Sequence, residues 1–199
     1  MRLGGHEIQH FVLDTGHFGG NNSGAINGAL AEELIKRKEF RVVGITYFET
    51  VAGTSSRRLV QGRQIALGNF SVQNPIFHES GSNFLSLAYL SRFIVTLDFP
   101  NKRMYLQDGK AFNRPDRRDA SGLHVIRKDG KTLVHTVDNG SAAAKSGIRN
   151  GDVILRVAQI ETGRTSLFEL RRALCGAGTT VRVVGSREGK DYEVLMALE

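Results

Sequence analysis

The residues best suited to chemistry are Asp14-Thr15-Gly16, which directly follow the apolar run 11–13. A strand ending in this tripeptide delivers a carboxylate to a tight turn, where Gly16 lets the backbone double back and the Thr15 hydroxyl can pin the turn. Two such turns facing each other hold two carboxylates that share one proton, because two like charges in contact cannot both stay ionised. Such a pair activates a water molecule for peptide hydrolysis. The tripeptide alone is also an ordinary strand-end turn, and by itself it favours that simpler interpretation.

A second segment shifts the balance towards hydrolysis. Residues 84–99 read FLSLAYLSRFIVTLDF and run directly into PNKRMYL at 100–106. Together with the first turn, this resembles bacterial single-lobe, retropepsin-like aspartyl proteases, in which a short helix leads into a closing hairpin. The resemblance spans about residues 6–107 and implies a closed β-barrel lobe that cleaves a protein or peptide substrate. It also implies a catalytic Asp14, supported by Thr15 and Gly16.

The chain contains a single Asp-Thr-Gly sequence, so a catalytic dyad requires a homodimer that contributes Asp14 from each copy. The segment 51–56, which includes Gly53 and Thr54, lies between two strand patterns and carries small, flexible residues. It is predicted to be the tip of a flap that covers the substrate, with a plain surface turn as the alternative.

The sequence departs from the protease pattern in three places. His17 follows the turn where a small or hydroxyl residue is usual, and Ser86 stands where the second signature usually has glycine. The sequence also begins shortly before Asp14, so the usual first strand is expected to be shortened or missing. These departures support the alternative function, a non-catalytic peptide-binding scaffold built on a degenerate protease lobe.

The second half of the chain carries a more specific pattern. Residues 140–155 read GSAAAKSGIRNGDVIL, which resembles the centre of bacterial PDZ domains. The alanines allow a short helix to pack closely, Gly147 and Gly151 permit turns, and Asp152 can accept backbone N–H groups. A capped helix over residues 167–174 and strands over 180–186 and 192–198 follow in the PDZ order. This resemblance covers about residues 120–199.

PDZ domains bind an extended peptide as an added strand between one strand and one helix. The resemblance therefore implies that the backbone N–H groups of the loop at residues 121–125 receive a terminal carboxylate. It also implies that the backbone of about residues 123–127 pairs with the bound peptide. On the helix, spacings of four and three residues place one set of side chains on the opposite wall. The alternative is that the two leucines of this set only fill the core. The predicted peptide-binding residues are Gly122, Leu123, His124, Val125, Leu167, Arg171 and Leu174.

The elements that position these sites follow from hydrophobic periodicity. A strand over residues 6–13, an amphipathic helix over 25–38 capped by Asn22 or Ser23, and a series of strands up to residue 106 predict a mainly β lobe. The polar, proline-broken stretch 113–119 is typical of an exposed linker. We therefore expect a protease-like lobe at 1–112, a linker at 113–119 and a PDZ-like α+β domain at 120–199.

The composition and charge of the chain argue against several classes of function. The chain has 199 residues and a formal net charge of +7, but the basic residues form no clustered stripe, so specific nucleic-acid binding is a remote option. No apolar run is long enough for a membrane span, and neither a metal site nor an organic cofactor is indicated. The start lacks a secretory signal, which predicts a cytoplasmic protein as the sequence stands and a periplasmic or secreted one if an upstream signal is missing.

Overall fold

The structure is a computed structural model that describes residues 1–3, 6–8, 10–17, 22–50 and 53–199. The chain divides into two compact units, Met1–Arg118 and Asp119–Glu199, called here the N-terminal unit and the C-terminal unit. Strands dominate both units, and the helices are short. The predicted mainly β fold class is therefore confirmed.

The N-terminal unit contains twelve strands and two helices within its described residues. The strands are β1 Arg2–Leu3, β2 His6–Glu7, β3 Val12–Asp14, β4 Gly24–Asn27, β5 Phe40–Thr50, β6 Gly53–Gly62, β7 Gln64–Leu67, β8 Phe70–Gln73, β9 Ile76–Ser80, β10 Phe84–Ser86, β11 Phe93–Asp98 and β12 Arg103–Asp108. The helices are α1 Gly28–Lys36 and α2 Leu87–Leu90.

The predicted closed barrel is wrong for the described strands, which form open sheets. One sheet has the order β3-β10-β4-β9-β6-β5, a second has the order β2-β1-β7-β8, and β11 pairs only with β12. Closure of the larger sheet would require β3 to pair with β5. However, β3 is three residues long and its described pairing partner is β10.

The predicted helix over residues 25–38 is shorter than expected. It begins at Gly28, and the side chain of Asn27 accepts the Ala29 N–H at 2.9 Å to cap it. Residues 24–27 are instead strand β4, paired with β9 on one side and β10 on the other. Because Ala25 and Ile26 are fully buried between these strands, tertiary packing overrides the helical pattern.

The expectation that residues 113–119 form an exposed linker is wrong at Asp116. Its carboxylate is buried in the N-terminal unit and forms an ion pair with the equally buried guanidinium of Arg92. It also accepts the Ser23 hydroxyl at 2.6 Å and the Ile76 N–H at 2.8 Å. A buried guanidinium requires such a partner, so this part of the stretch belongs to the folded lobe.

The C-terminal unit has the predicted PDZ-like α+β order. Its strands are β13 Leu123–Lys128, β14 Lys131–Val137, β15 Val153–Val157, β16 Ile160–Glu161, β17 Thr180–Arg187 and β18 Lys190–Ala197, and its helices are α3 Ala142–Lys145 and α4 Leu167–Ala173. The sheet order is β13-β14-β15-β17-β18, with β16 paired to β15. Ser166 and Glu169 form a capping box at the start of α4. Asp152 accepts the Arg149 N–H at 2.9 Å, as its position predicts.

Candidate functional site

The Asp14 turn, residues 14–17, lies at the end of β3, a short strand at one edge of the larger sheet. Strand β3 runs parallel to β10, and this register places Asp14 opposite Ser86. Ser86 is buried; its hydroxyl donates to the Asn22 carbonyl at 2.8 Å and caps α2. The serine that departs from the protease pattern therefore has a structural function, holding the strand next to Asp14.

The Asp14 carboxylate is held by the backbone of its own turn. Oδ1 accepts the Gly16 N–H at 3.0 Å and the His17 N–H at 2.9 Å. Two such bonds fix the direction of the carboxylate. Oδ1 is thereby committed to the turn.

The expected contributions of Thr15 and Gly16 differ from this geometry. Thr15 is exposed, and within the described part of the chain its hydroxyl makes no hydrogen bond that pins the turn. Gly16 lies outside the left-handed backbone region, and an added Cβ would meet Asp14 Oδ1 at an ordinary 3.4 Å. Neither residue is therefore required by the turn within one copy of the chain.

A cluster of rings lies beside the Asp14 turn and was missed by the sequence analysis. The His17 ring is 5.1 Å from the His78 ring and 4.8 Å from the Phe84 ring, measured between centroids. Phe48 lies 4.9 Å from His78. His78 belongs to β9, which is paired on both sides, and Ile76, Phe77 and His78 are all buried. Because exposed and buried residues do not alternate here, the sequence does not distinguish His78 from its neighbours.

Burial keeps both histidines of this cluster neutral. It lowers the pKa of His17, an effect that the neighbouring Asp14 charge opposes. Burial, together with smaller effects from His17 and Arg57, lowers the pKa of His78 to about 4. His17 Nε2 and His78 Nδ1 have no hydrogen-bond partner among the described residues. The space next to Asp14 is thus lined by neutral, weakly solvated rings.

Gly24 is essential to the pairing of β4 with β10, the strand next to β3. Gly24 has φ of 146°, and a Cβ added to it would clash with the Phe84 carbonyl. The close approach allows β4 to pair with β10, which in turn carries Ser86 to Asp14.

The predicted flap corresponds to the long hairpin of β5 and β6. The strands pair up to Thr50 opposite Gly53 and Glu49 opposite Thr54, and residues 51–52 at the tip lie outside the described residues. Phe48 on β5 connects this hairpin to His78 and so to the Asp14 turn.

In the C-terminal unit, the predicted peptide-binding strand β13 lies at the edge of the sheet, alongside α4. Gly122, which precedes it, has φ of 64°, so its left-handed backbone favours glycine. Leu123 and Val125 turn their side chains into the core, which leaves their backbones as the groups that a ligand can reach. The side chain of His124 lies 3.0 Å from the Asp138 carboxylate.

The helical wall differs from the prediction. Leu174 is fully buried and fills the core, as does Leu170, so Leu174 does not line a groove. Leu167 is half-buried against the same core. Arg171 is exposed, and its guanidinium donates to the Val125 carbonyl at 3.2 Å. Of the three predicted wall residues, Arg171 therefore faces β13, whereas Leu174 belongs to the core.

The described residues hold neither a metal-binding cluster nor a membrane-spanning helix. The described residues contain no cluster of three or more His, Cys, Asp or Glu side chains suited to a metal. Within the same residues, no helix has the length and hydrophobicity that crossing a bilayer requires.

Comparison with known proteins gives partial structural matches. No protein-family model and no curated protein matches the chain. The photosystem II D1 C-terminal processing protease is 26% identical, covers 40% of this chain and 22% of its own, and has a TM-score of 0.38. A serine endoprotease from Yersinia pestis is 18% identical, with 79% and 62% covered and a TM-score of 0.40. The HtrA-type protease AlgW with a decapeptide is 14% identical, with 80% and 61% covered and a TM-score of 0.38.

All three matched structures are named as proteases. This chain spans 22% of the length of the first and about three-fifths of the other two. Overlaps at these TM-scores assign no activity to this chain.

Proposed function

We propose that the chain is an aspartyl peptidase in which Asp14 from each of two copies forms the catalytic dyad, and that the C-terminal unit captures extended peptide. The observation that carries this proposal is the Asp14 carboxylate, held by the Gly16 and His17 N–H groups at the end of β3. This arrangement fixes a carboxylate at the edge of the core without covering it.

The chemistry requires two carboxylates that share one proton. The ionised Asp14 removes a proton from a water molecule, which attacks the peptide carbonyl, while the protonated Asp14 of the second copy donates to the carbonyl oxygen. The neutral rings of His17 and His78 keep the surroundings poorly solvated. A weakly solvated environment strengthens the proton sharing between the two carboxylates.

The surface next to Asp14 supports the dimer. Val12 is 59% exposed and Leu13 is 37% exposed, although both are large apolar side chains directly before the carboxylate. Thr15 presents an exposed hydroxyl that its own turn does not use. A second copy related by a two-fold axis would cover the apolar pair and give the hydroxyl a partner, because such an interface brings the same patch from each copy together.

The hairpin of β5 and β6 is the proposed substrate cover. Its arms are eleven and ten residues long, and Phe48 places one arm against the ring cluster beside Asp14. A hairpin of this length can close over an extended chain and exclude water from the dyad.

The decisive experiment compares Asp14→Asn with Asp98→Asn in cleavage of fluorescein-labelled casein. Asp98 is a matched control because it also accepts a backbone N–H at a turn of the N-terminal unit, from Asn101 at 3.1 Å. We expect cleavage to be lost in Asp14→Asn and retained in Asp98→Asn. Sedimentation velocity at the assay concentration should give a dimer. Full activity in Asp14→Asn, or an active monomer, would refute the mechanism.

The second candidate is a non-catalytic peptide-binding scaffold. The packing of His17 favours it, because this ring fills space beside the carboxylate and contacts His78 and Phe84. Calorimetric titration with a pepstatin-type inhibitor at acidic pH separates the two candidates. A monomer that ignores the inhibitor and still binds peptides would establish the scaffold.

A further inference from the structure

The loop that precedes β13 has already used the N–H groups that a terminal carboxylate would need. In this Asp119 loop, residues 119–123, Asp119 Oδ1 accepts the Ser121 N–H at 2.8 Å and the Gly122 N–H at 2.7 Å. The Ser121 hydroxyl donates to the same oxygen at 2.8 Å and accepts the Leu123 N–H at 3.0 Å. Three successive backbone donors are therefore satisfied within the loop.

The backbone of the loop is also tied in place. The Gly122 carbonyl accepts the Asp138 N–H at 2.9 Å, and the Ser121 carbonyl accepts the Ala143 N–H at 2.9 Å. A Cβ on Gly122 would clash with the side chain of Ser141, so the loop lies tightly against the start of α3. A ligand carboxylate at this position would face the acceptor oxygens of Asp119 and would find no donor left among these three N–H groups.

The opposite charge lies further along the same groove. Arg171 reaches from α4 to the Val125 carbonyl of β13, and Arg127 on β13 donates to the Thr165 carbonyl just before α4 at 2.7 Å. Both guanidinium groups thus cross the space between the strand and the helix. A carboxylate side chain would be a stronger, bidentate acceptor for Arg171 than a single carbonyl. The released Val125 carbonyl could then accept an N–H from an added strand.

We propose that the groove between β13 and α4 binds an internal, extended segment of polypeptide with acidic side chains, rather than a free C-terminus. This inference rests on the proposed capture of peptide by the C-terminal unit. The N–H groups are already bonded where a chain end would lie, whereas two guanidinium groups lie along the length of the groove. It therefore selects against a terminal carboxylate and in favour of side-chain carboxylates within a strand.

The test uses the full chain carrying Asp14→Asn, so that no probe is cleaved. The probes are fluorescein-labelled octapeptides of alternating Thr and Glu with either an amidated or a free C-terminus, and an amidated peptide of alternating Thr and Gln. Fluorescence anisotropy gives each Kd. We expect the amidated Thr-Glu peptide to bind at least as tightly as its free-acid form, and more tightly than the Thr-Gln peptide.

Two substitutions identify the groups responsible. Arg171→Gln should weaken binding of the Thr-Glu peptide about three- to fivefold, as expected for an exposed ion pair. Binding of the Thr-Gln peptide should be unchanged. Arg172→Gln, its exposed neighbour on α4, is the matched control and should have no such effect. Asp119→Ala frees the Ser121 and Gly122 N–H groups, so it should strengthen binding of the free-acid peptide about tenfold and leave binding of the amidated peptide unchanged.

Three outcomes would overturn the inference. They are a free-acid peptide that binds at least about tenfold more tightly than its amide, no binding of the amidated Thr-Glu peptide, or equal effects of Arg171→Gln and Arg172→Gln. Each concerns binding by a cleavage-deficient chain. A failure here therefore leaves the casein test of Asp14 intact, and a failure of that test leaves these affinities interpretable.

Discussion

The Asp14 turn and the Asp119 loop share one local design in the two units. In both, an aspartate accepts the backbone N–H groups two and three residues further along the chain, at 2.7–3.0 Å. They differ in the hydroxyl residue that each contains. Ser121 is buried and bonds both to Asp119 and to the Leu123 N–H, whereas Thr15 is exposed and does not complete its turn.

The same backbone hydrogen bonds to an aspartate can therefore occur both at a candidate catalytic site and in a purely structural loop. The Asp119 loop is complete within one copy of the chain, and burial raises the pKa of its carboxyl against the bonds from Ser121 and Gly122. The Asp14 turn leaves one carboxylate oxygen, a hydroxyl and two apolar side chains for another molecule. A surface turn with unbonded groups can interact with another molecule. A loop whose polar groups are all bonded within the chain has a structural function.

The largest expected difference between the Asp14 turn and the Asp119 loop is in peptide cleavage. Asp14→Asn should lower kcat/KM by about 10³-fold or more, because an amide cannot share or transfer the proton. Asp119→Asn should leave the cleavage of short peptides within about twofold, since that carboxylate only organises a loop. Initial rates with a quenched-fluorescent peptide measure both. Comparable losses in the two variants would mean that the two aspartates act as one system.

The acid stability of the N-terminal unit should depend on His78. Its folded pKa is about 4 against 6.5 in the unfolded chain, so between these pH values the unfolded state binds the proton and the folded state does not. The free energy of unfolding should therefore fall as pH decreases from 6.5 to 4, by about 3 kcal/mol in total. His78→Phe, which preserves a ring beside Phe48 and Phe84, should lose this part of the pH dependence in urea unfolding curves.

The matched control for His78 is His135→Asn, which changes an exposed histidine. It should keep the pH dependence of the original chain. An unchanged slope in His78→Phe would show that His78 is neutral in both states or charged in both.

Removal of each carboxylate should affect stability unequally. Asp119→Ala leaves the Ser121 and Gly122 N–H groups in a partly buried loop without an acceptor, at a cost of about 1–3 kcal/mol. Asp14→Ala should cost about 1 kcal/mol or less, because water can reach the Gly16 N–H. Thermal unfolding of both variants tests the order, and a larger cost at Asp14 would contradict it.

The smallest contrast concerns the two hydroxyls. Ser121→Ala should destabilise the C-terminal unit by about 1 kcal/mol, whereas Thr15→Ala should change the stability of one copy by less than about 0.5 kcal/mol. If the dimer uses Thr15, the second variant should nevertheless weaken self-association in sedimentation equilibrium. Unchanged association would remove Thr15 from the proposed interface.

Local chemistry explains what the sequence predicted well. The order of elements in the C-terminal unit follows from turn glycines and caps, and α4 begins at Leu167 as its Ser166 cap indicates. The hairpin of β7 and β8 is local in the same way, because the turn residues Gly68 and Asn69 stand between the paired Leu67 and Phe70. The carboxylate turn at Asp14 is also local, since its donors lie two and three residues away.

The parts that the sequence did not predict depend on long-range contacts. Asp116 is a polar residue beside a proline, and only its distant partner Arg92 makes it part of a core. His78 joins the site because β9 lies between two other strands. Asp119 was placed at the end of a linker, so its effect on the neighbouring N–H groups was missed.

The burial of Asp116 has a consequence for how these two units can be exchanged between proteins. Gene fusions are usually cut where a sequence is polar and contains proline, which in this chain would be just after residue 112. Such a cut would separate Arg92 from its counter-ion and remove the acceptor of Ser23 and the Ile76 N–H. A recombination point that leaves the first lobe intact must therefore lie beyond Arg118, even though the next residue already belongs to the loop before β13.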